Sequence, residues 1–518
     1  MTRLLRAAGS ISAFTLLSRI LGLWRDRLMA QTLGPGWVQD TFLLAWALPN
    51  VMRRLLGEGA LSASLVPAYA KARLTDPAAA RALLSQVVGA VITLLAPVCF
   101  VVAMASLTVP AEWLPLPVAG GQPAVRLLLA LNAVLFAYSL PVCLTAVCSG
   151  ALNTLGSFAL PAATPLIING VWIAALLLAE PLGFVDERDI VVFDAWCLSV
   201  GGFLQLLVVA LPLWLRGELQ WPPLRLPARG TAAAGVFVTM APTMLGMSLN
   251  QISSLLDQGL AYCLIPQGAV TYIYLANRLL QFPHALTAMA VAVAVFPKLA
   301  EQANDVGRAR MAETLQMAAA TTILVTLPAA AGLIVLGDDV VRCLFLGGRF
   351  TEADVWPTVL TSGCLVAGLP FVGLAQLYAR AYYAVGDNAA PARLAVKLVL
   401  ANALANVVLL MTTDLGTAAL AITSSASGLA NALLLAYGFR RHAKLGSLRN
   451  AWLRSLVATT VLCLVLPFTR VAPADGSWLA KTLGNVALPI GVGIAVYVLA
   501  HVLLRSPELG ALRRRRRG

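Results

Sequence analysis

Between residues 18 and 58 the chain carries Arg19, Arg25, Asp26, Arg27, Asp40, Arg53, Arg54 and Glu58, inside two stretches otherwise apolar enough to cross a bilayer. One central arginine in such a segment costs about 2.5–3.5 kcal/mol on insertion scales, so a charge kept there marks a functional site by default. A guanidinium presents a planar fork of donors that grips phosphate or carboxylate bidentately. Arginines outnumber acids in this stretch, which points to a water-filled cavity shaped for an anion.

The spacing says which of these groups one face can present. Ser18-Arg19-Ile20-Leu21-Gly22-Leu23-Trp24-Arg25-Asp26 sets Arg19 and Asp26 seven residues apart, close to one helical face. Arg25 points elsewhere on a straight helix; a bend at Gly22 would turn both arginines into one cavity. Arg25, Asp26 and Arg27 have a simpler alternative, snorkelling to the outer interface. In the second stretch Leu48-Pro49-Asn50 breaks the helix ahead of Arg53 and Arg54, and Glu58 lies one turn after Arg54, placed to pair with it. Arg53 has no such partner and remains available. Asp40 opens this helix, where an acid is favoured in any case. Further on, Arg278 stands alone in Tyr274-Leu275-Ala276-Asn277-Arg278-Leu279-Leu280-Gln281-Phe282-Pro283 with no acid nearby. A second, different site is suggested by Asp257, by Asn402 and Asn406 four residues apart, and by Thr423, hard oxygen donors that suit Na⁺. Hydrogen bonding between neighbouring membrane helices is the alternative for these amides.

The elements that carry these groups must lie in a membrane. The 518 residues are 59% apolar and only 12% charged, with mean hydropathy +0.83, against about 25% charged in soluble domains. Fourteen apolar stretches are long enough to span, at 8–32, 38–66, 83–108, 125–150, 158–180, 190–215, 232–262, 269–297, 311–337, 355–384, 391–412, 416–439, 451–471 and 478–504. They predict an all-α polytopic protein, and the pattern does not suggest a barrel of alternating strands. With the N-terminus in the cytoplasm, the inner connections collect Arg3, Arg6, Lys71, Arg73, Arg81, Arg440, Arg441 and the tail Arg513 to Arg517, while the outer ones carry Asp186, Glu187, Asp338 and Asp339. The positive-inside rule then puts both termini in the cytoplasm. Arg19 and Arg25 interrupt the first apolar stretch and no small-residue cleavage site follows, so it reads as a retained helix rather than a signal peptide. The eight cysteines form no CxxC pair and read as small buried hydrophobes. The five-arginine tail reads as an anchor near anionic lipid, not a nucleic-acid contact.

Catalytic patterns are missing from the sequence: no phosphate loop, no metal-ligand cluster, and three scattered histidines, His284, His442 and His501. The expectation is a transporter, not an enzyme, driven by Na⁺, H⁺, membrane potential or downhill flow. An internal echo supports this. Pro67 and Pro297 end matching helices 230 residues apart; Gly156-x₄-Pro161 and Gly386-x₄-Pro391 repeat at the same offset. The domains expected are a six-helix lobe at 1–230, a second at 231–445, and two extra helices with the basic tail at 446–518. Such repeats are typical of secondary transporters working by alternating access.

These residues also carry a resemblance. Ser18-Arg19-Ile20-Leu21-Gly22-x-x-Arg25-Asp26, Asp40, Leu48-Pro49-Asn50-x-x-Arg53-Arg54-x-x-x-Glu58-Gly59-Ala60, Ala276-Asn277-Arg278-Leu279-x-x-Phe282-Pro283 and Leu344-Phe345-x-x-Gly348-x-Phe350-Thr351 are similar to the MurJ (MviN) family of lipid II flippases. The resemblance implies the fold of the multidrug/oligosaccharidyl-lipid/polysaccharide exporter superfamily. It also implies passage of the undecaprenyl-pyrophosphate-linked peptidoglycan precursor from inner to outer leaflet of the bacterial cytoplasmic membrane. The cavity arginines would map onto Arg19, Arg25, Arg53 and Arg278, with Ser18, Asp26, Asp40, Arg54 and Glu58 around them, in a protein expected to be monomeric. The family's sodium site would map onto Asp257, Asn402, Asn406 and Thr423. Asn277 and Gln281 stand where acids often flank the eighth-helix arginine, and Asn406 where some members carry an acid. Rival readings are a flippase for another polyprenyl-linked saccharide, a cation-coupled drug exporter, an enzyme of lipid pyrophosphate and an inert scaffold.

Overall fold

The computed structural model describes residues 2–55, 61–305, 308–471 and 477–508. Glu58 and its glycine neighbours, and the arginine tail, lie outside the described residues. The described chain is helical almost throughout, with one isolated β-bridge at Gly347 and Phe350. It forms two compact units, Met1–Thr271 and Tyr272–Gly518.

The first unit holds α1 (Thr2–Leu33), α2 (Trp37–Met52), α3 (Leu61–Thr75), α4 (Pro77–Thr108), α5 (Gly121–Leu135), α6 (Ser139–Thr154), α7 (Ala159–Ala179), α8 (Glu187–Leu215) and α9 (Ala232–Leu264), and ends in the first turn of α10 (Ala269–Leu286). The second contains the rest of α10, then α11 (Ala288–Gln302), α12 (Ala309–Val335), α13 (Gly337–Phe345), α14 (Glu352–Ala367), α15 (Leu369–Ala384), α16 (Ala389–Thr412), α17 (Thr417–Phe439), α18 (Arg449–Val465), α19 (Trp478–Thr482) and α20 (Leu488–Leu503). Among the described residues, every apolar stretch read from the sequence falls on a helix or a pair of successive helices. Among the described residues ten helical stretches are long and apolar enough to span, and eleven when the pair bent by 40° at α10 and α11 counts as one. The short α13 is an added element: its ends carry Asp338, Asp339 and Arg342, while Val340, Val341 and Phe345 are buried.

The repeat is written into the helix starts. Adding 230 to the starts of α1, α7 and α8 gives the starts of α9 (2 to 232), α16 (159 to 389) and α17 (187 to 417). The turns repeat in atomic detail. Gly156 adopts φ +76° and Gly386 φ +82°. Ser157 N donates to Leu152 O at 2.9 Å, and Asp387 N to Tyr382 O at 3.0 Å. Both turns are the left-handed helix ending that glycine supplies without a Cβ penalty. Within its own unit, α8 packs on α6 and α7, as α17 packs on α15 and α16.

The first unit's core is aromatic where α2, α7 and the 3₁₀ turn Phe136–Tyr138 meet. Trp46 lies 5.0 Å from Trp172 and 5.1 Å from Tyr138, and Phe42 lies 5.8 Å from Trp172. Gly202 lets α8 lie against Tyr138, because a Cβ there would come within 2.5 Å of the ring. Tyr138 donates to Gln205 Oε1 at 3.2 Å, and Gln205 Nε2 to Thr164 O at 2.7 Å, which pairs the tyrosine hydroxyl and the glutamine amide of this junction. In the second unit α18 and α20 pack together, α18 also lies on α12, and Tyr497 donates to Leu324 O at 2.8 Å.

Candidate functional site: the charged core of the first unit

α1 runs as one helix through Gly22 and packs on α7. Its two arginines meet different surroundings. Arg25 and Asp26 are buried. Arg25 donates to Asp26 Oδ1 from Nε at 3.0 Å and from Nη2 at 2.6 Å, and from Nη1 to Asn169 Oδ1 at 3.0 Å. Its guanidinium lies 4.2 Å from the Trp172 ring centre, a stacking that suits a planar, weakly hydrated cation. Asn169 Nδ2 donates in turn to Ser18 O at 3.2 Å and Ser18 Oγ at 3.4 Å. Arg19 is exposed, beside the exposed apolar residues Leu16, Ile20 and Trp24, and has no hydrogen-bond or ion-pair partner among the described residues. The expected convergence of Arg19 and Arg25 on one surface is therefore not the arrangement here: α7 supplies an acceptor and an aromatic face that draw Arg25 inward.

At the end of α2 the chain passes through a π turn. Arg53 is half-buried and donates to Asn50 Oδ1 from Nε at 3.2 Å and Nη2 at 2.9 Å. The asparagine that follows Pro49 is thus a local partner, and the expectation that Arg53 lacks one is corrected. Arg54 reaches Gln251 Oε1 of α9 at 3.4 Å; its expected partner Glu58 lies outside the described residues. Asp40 is buried and accepts Gly268 N at 2.7 Å, Thr271 N at 2.8 Å and Thr271 Oγ1 at 2.7 Å. Its carboxylate answers the unpaired N–H groups that open α10. Asp257 of α9 is half-buried.

In the second unit Arg278 is half-buried, donating to Tyr274 OH at 2.9 Å and Gln281 Oε1 at 3.4 Å. These are neutral partners, as the replacement of flanking acids by Asn277 and Gln281 leads one to expect. Asn402 and Asn406 are buried one turn apart on α16, and Thr423 of α17 donates its hydroxyl to Asn406 Oδ1. Asn402 Oδ1 is buried with no partner among the described residues. This oxygen, with Asn406 and Thr423, is a neutral donor set that fits a hard monovalent cation. No group of three or more His, Cys, Asp or Glu that could hold a metal occurs among the described residues. Outside the spans, the exposed Glu112 lies 2.5 Å from Arg126 of α5, whose guanidinium holds its carboxyl below the ordinary range.

Reading the sequence by its arginines passed over Asn169, Trp172 and Asp194, which complete the buried cluster. Asp194 is fully buried on α8. Each stands in an otherwise apolar span, and an intramembrane acid or amide was itself the available signal.

A family model described as lipid II flippase MurJ matches residues 29–492, nine-tenths of the chain. This chain belongs to the MurJ family. Among curated MurJ proteins, it is 31% identical over 473 residues to the lipid II flippase MurJ of Burkholderia cenocepacia, covering 89% of each chain. It is 32% identical over 443 residues to a probable lipid II flippase MurJ of Bdellovibrio bacteriovorus, covering 84% of this chain and 81% of that one. A solved structure of lipid II flippase MurJ in an inward closed conformation superposes with TM-score 0.76 at 22% identity, over 96% of this chain and 98% of that one. The inward-facing conformation of a multidrug resistance MATE family transporter of the MOP superfamily gives TM-score 0.58 at 17% identity, covering 84% of this chain. The fold is therefore that of MurJ, within the wider architecture that MATE transporters share, and the chain is a multi-pass membrane protein.

Proposed function

We propose that this chain flips lipid II, the undecaprenyl-pyrophosphate-linked peptidoglycan precursor, from the inner to the outer leaflet of the bacterial cytoplasmic membrane by alternating access. The observation that carries this reading is a set of arginines on the helices of a MurJ fold. Arg19 and Arg53 are the first unit's candidate donors to the pyrophosphate and Arg278 is the second unit's, for a ligand whose charge and geometry suit guanidiniums. Arg25 sits in the Asp26–Asn169 clasp in this conformation, and its approach to an anion requires that clasp to open. Ser18, Asp26 and Asn169 position it; Asp40 and Arg54 act through the helix ends they hold. The protein works as a monomer with both termini in the cytoplasm, and its substrate chemistry calls for no nucleic acid and no bond-making step. Na⁺, held by Asn402, Asn406 and Thr423 of the second unit, is the proposed coupling ion.

Replacing Arg19 with Ala removes an exposed guanidinium that holds no part of the fold. The expected outcome is loss of complementation in a flippase-depleted cell at unchanged protein level. Normal growth of that strain would exclude Arg19 from substrate binding. A leaflet-accessibility assay of lipid II in depleted cells tests the substrate: inner-leaflet accumulation supports the reading, whereas accumulation of a different polyprenyl-linked saccharide would reassign it.

A further inference from the structure

Asp194 lies two turns into α8, fully buried, and neither of its carboxyl oxygens has a hydrogen-bond partner. Two groups face it. Trp172 of α7 presents an indole N–H that is itself without an acceptor at hydrogen-bonding distance, and Arg25 of α1 acts on it electrostatically without reaching it. Arg25 already donates to Asp26 and Asn169. The other elements packed on α8 supply nothing to answer its charge. α7 has no ionisable side chain along its length. Arg126 of α5 pairs with Glu112. Asp40 of α2 is engaged by Gly268 and Thr271. Tyr138 donates to Gln205, and Cys143 and Cys148 of α6 lie in the apolar core.

An ionised carboxylate in such surroundings, with no donor at hydrogen-bonding distance and its nearest cation already engaged by Asp26 and Asn169, neutralises rather than stays charged. Sodium would need several oxygen ligands, and an indole and a guanidinium do not provide them. We propose that Asp194 is a proton-binding site of the first unit. Its carboxylate takes one H⁺ from water and becomes the neutral acid. In that form it leaves Arg25 to Asp26 and Asn169. When the proton leaves, the new negative charge draws Arg25 across the Trp172 face and loosens the clasp. Asp194 is thus a positioning residue for Arg25, and the site is distinct from the oxygen cluster of α16 and α17.

The test is infrared spectroscopy of the full chain in nanodiscs of phosphatidylethanolamine and phosphatidylglycerol, which reads the site whether or not substrate moves. The wild type should show the carbonyl stretch of an undissociated carboxylic acid at neutral pH, and Asp194→Asn, the isostere of the neutral acid, should lack it. Asp194→Glu, a second variant should the first fold poorly, should shift that band without losing it. The melting temperature of the wild type should fall relative to Asp194→Asn as pH rises, because the folded state then loses a proton it holds more tightly than the unfolded chain. Identical carbonyl regions in wild type and Asp194→Asn would overturn the proposal. So would loss of the band when Na⁺ replaces K⁺ at constant pH, which would make the site a sodium site.

Discussion

Asn169 ties three things together: Arg25 through its oxygen, and the backbone and hydroxyl of Ser18 through its nitrogen. Asn169→Leu fills the same space and deletes a charge-assisted hydrogen bond, which costs about 1.5–3 kcal/mol where one partner is ionised. The expected result is a lower melting temperature in detergent, and a wild-type melting curve would show that the clasp does not hold α1 on α7. Asp40 makes three hydrogen bonds to the start of α10. Asp40→Ala should therefore destabilise more than Asp40→Asn, which keeps one acceptor oxygen, and equal losses would mean that the oxygen asparagine retains contributes nothing. The arginines themselves were legible in the sequence from their cost in hydrocarbon. What was not legible was which of them the fold would bury. A straight helix shows where Arg25 points but not that an amide and an indole 144 and 147 residues later await it.

At the level of elements, the repeat is testable at its turns. Gly156 and Gly386 both occupy left-handed backbone, and a Cβ at either would meet nothing within 4 Å. The cost of Gly156→Ala and of Gly386→Ala is then purely conformational, about 1–2 kcal/mol each. Chemical or thermal unfolding should register similar losses for the two variants, and a loss at one site alone would show that the turns are alike in form but not in energetic role. The break expected at Leu48-Pro49-Asn50 is not there: α2 runs on through Pro49 to Met52, and the helix changes form only at Arg53. The π turn that follows was not readable from the sequence, nor was α13, since a nine-residue helix with both acids and buried valines has too short a period to stand out between two long spans.

For the whole molecule, the absence of a phosphate loop from the sequence sets an expectation: purified protein in liposomes should equilibrate lipid II across the bilayer without any nucleotide. A strict requirement for ATP in that assay would contradict secondary transport. A rival cation-coupled drug exporter would favour acids over arginines in the first unit, and the sequence runs the other way. The expected lobe boundary at 230 compares with a division of the structure after Thr271, because α9 packs on α2, α3 and α4 of the first unit.

Composition, hydrophobic length and the 230-residue echo were enough to determine a polytopic helical protein made of two related halves, since apolar length and repeat period are properties of the chain alone. The arginine-rich opening set the expectation that something anionic is handled, because a charge kept in a membrane span marks a functional site by default. Tertiary structure alone decided that Arg25 is clasped while Arg19 is presented, that Asp40 is spent on a helix start, and that Asp194 is sealed without a partner. Each of these depends on which side chain of a distant helix arrives opposite, and burial with its unmet hydrogen bonds exists only once the helices have packed.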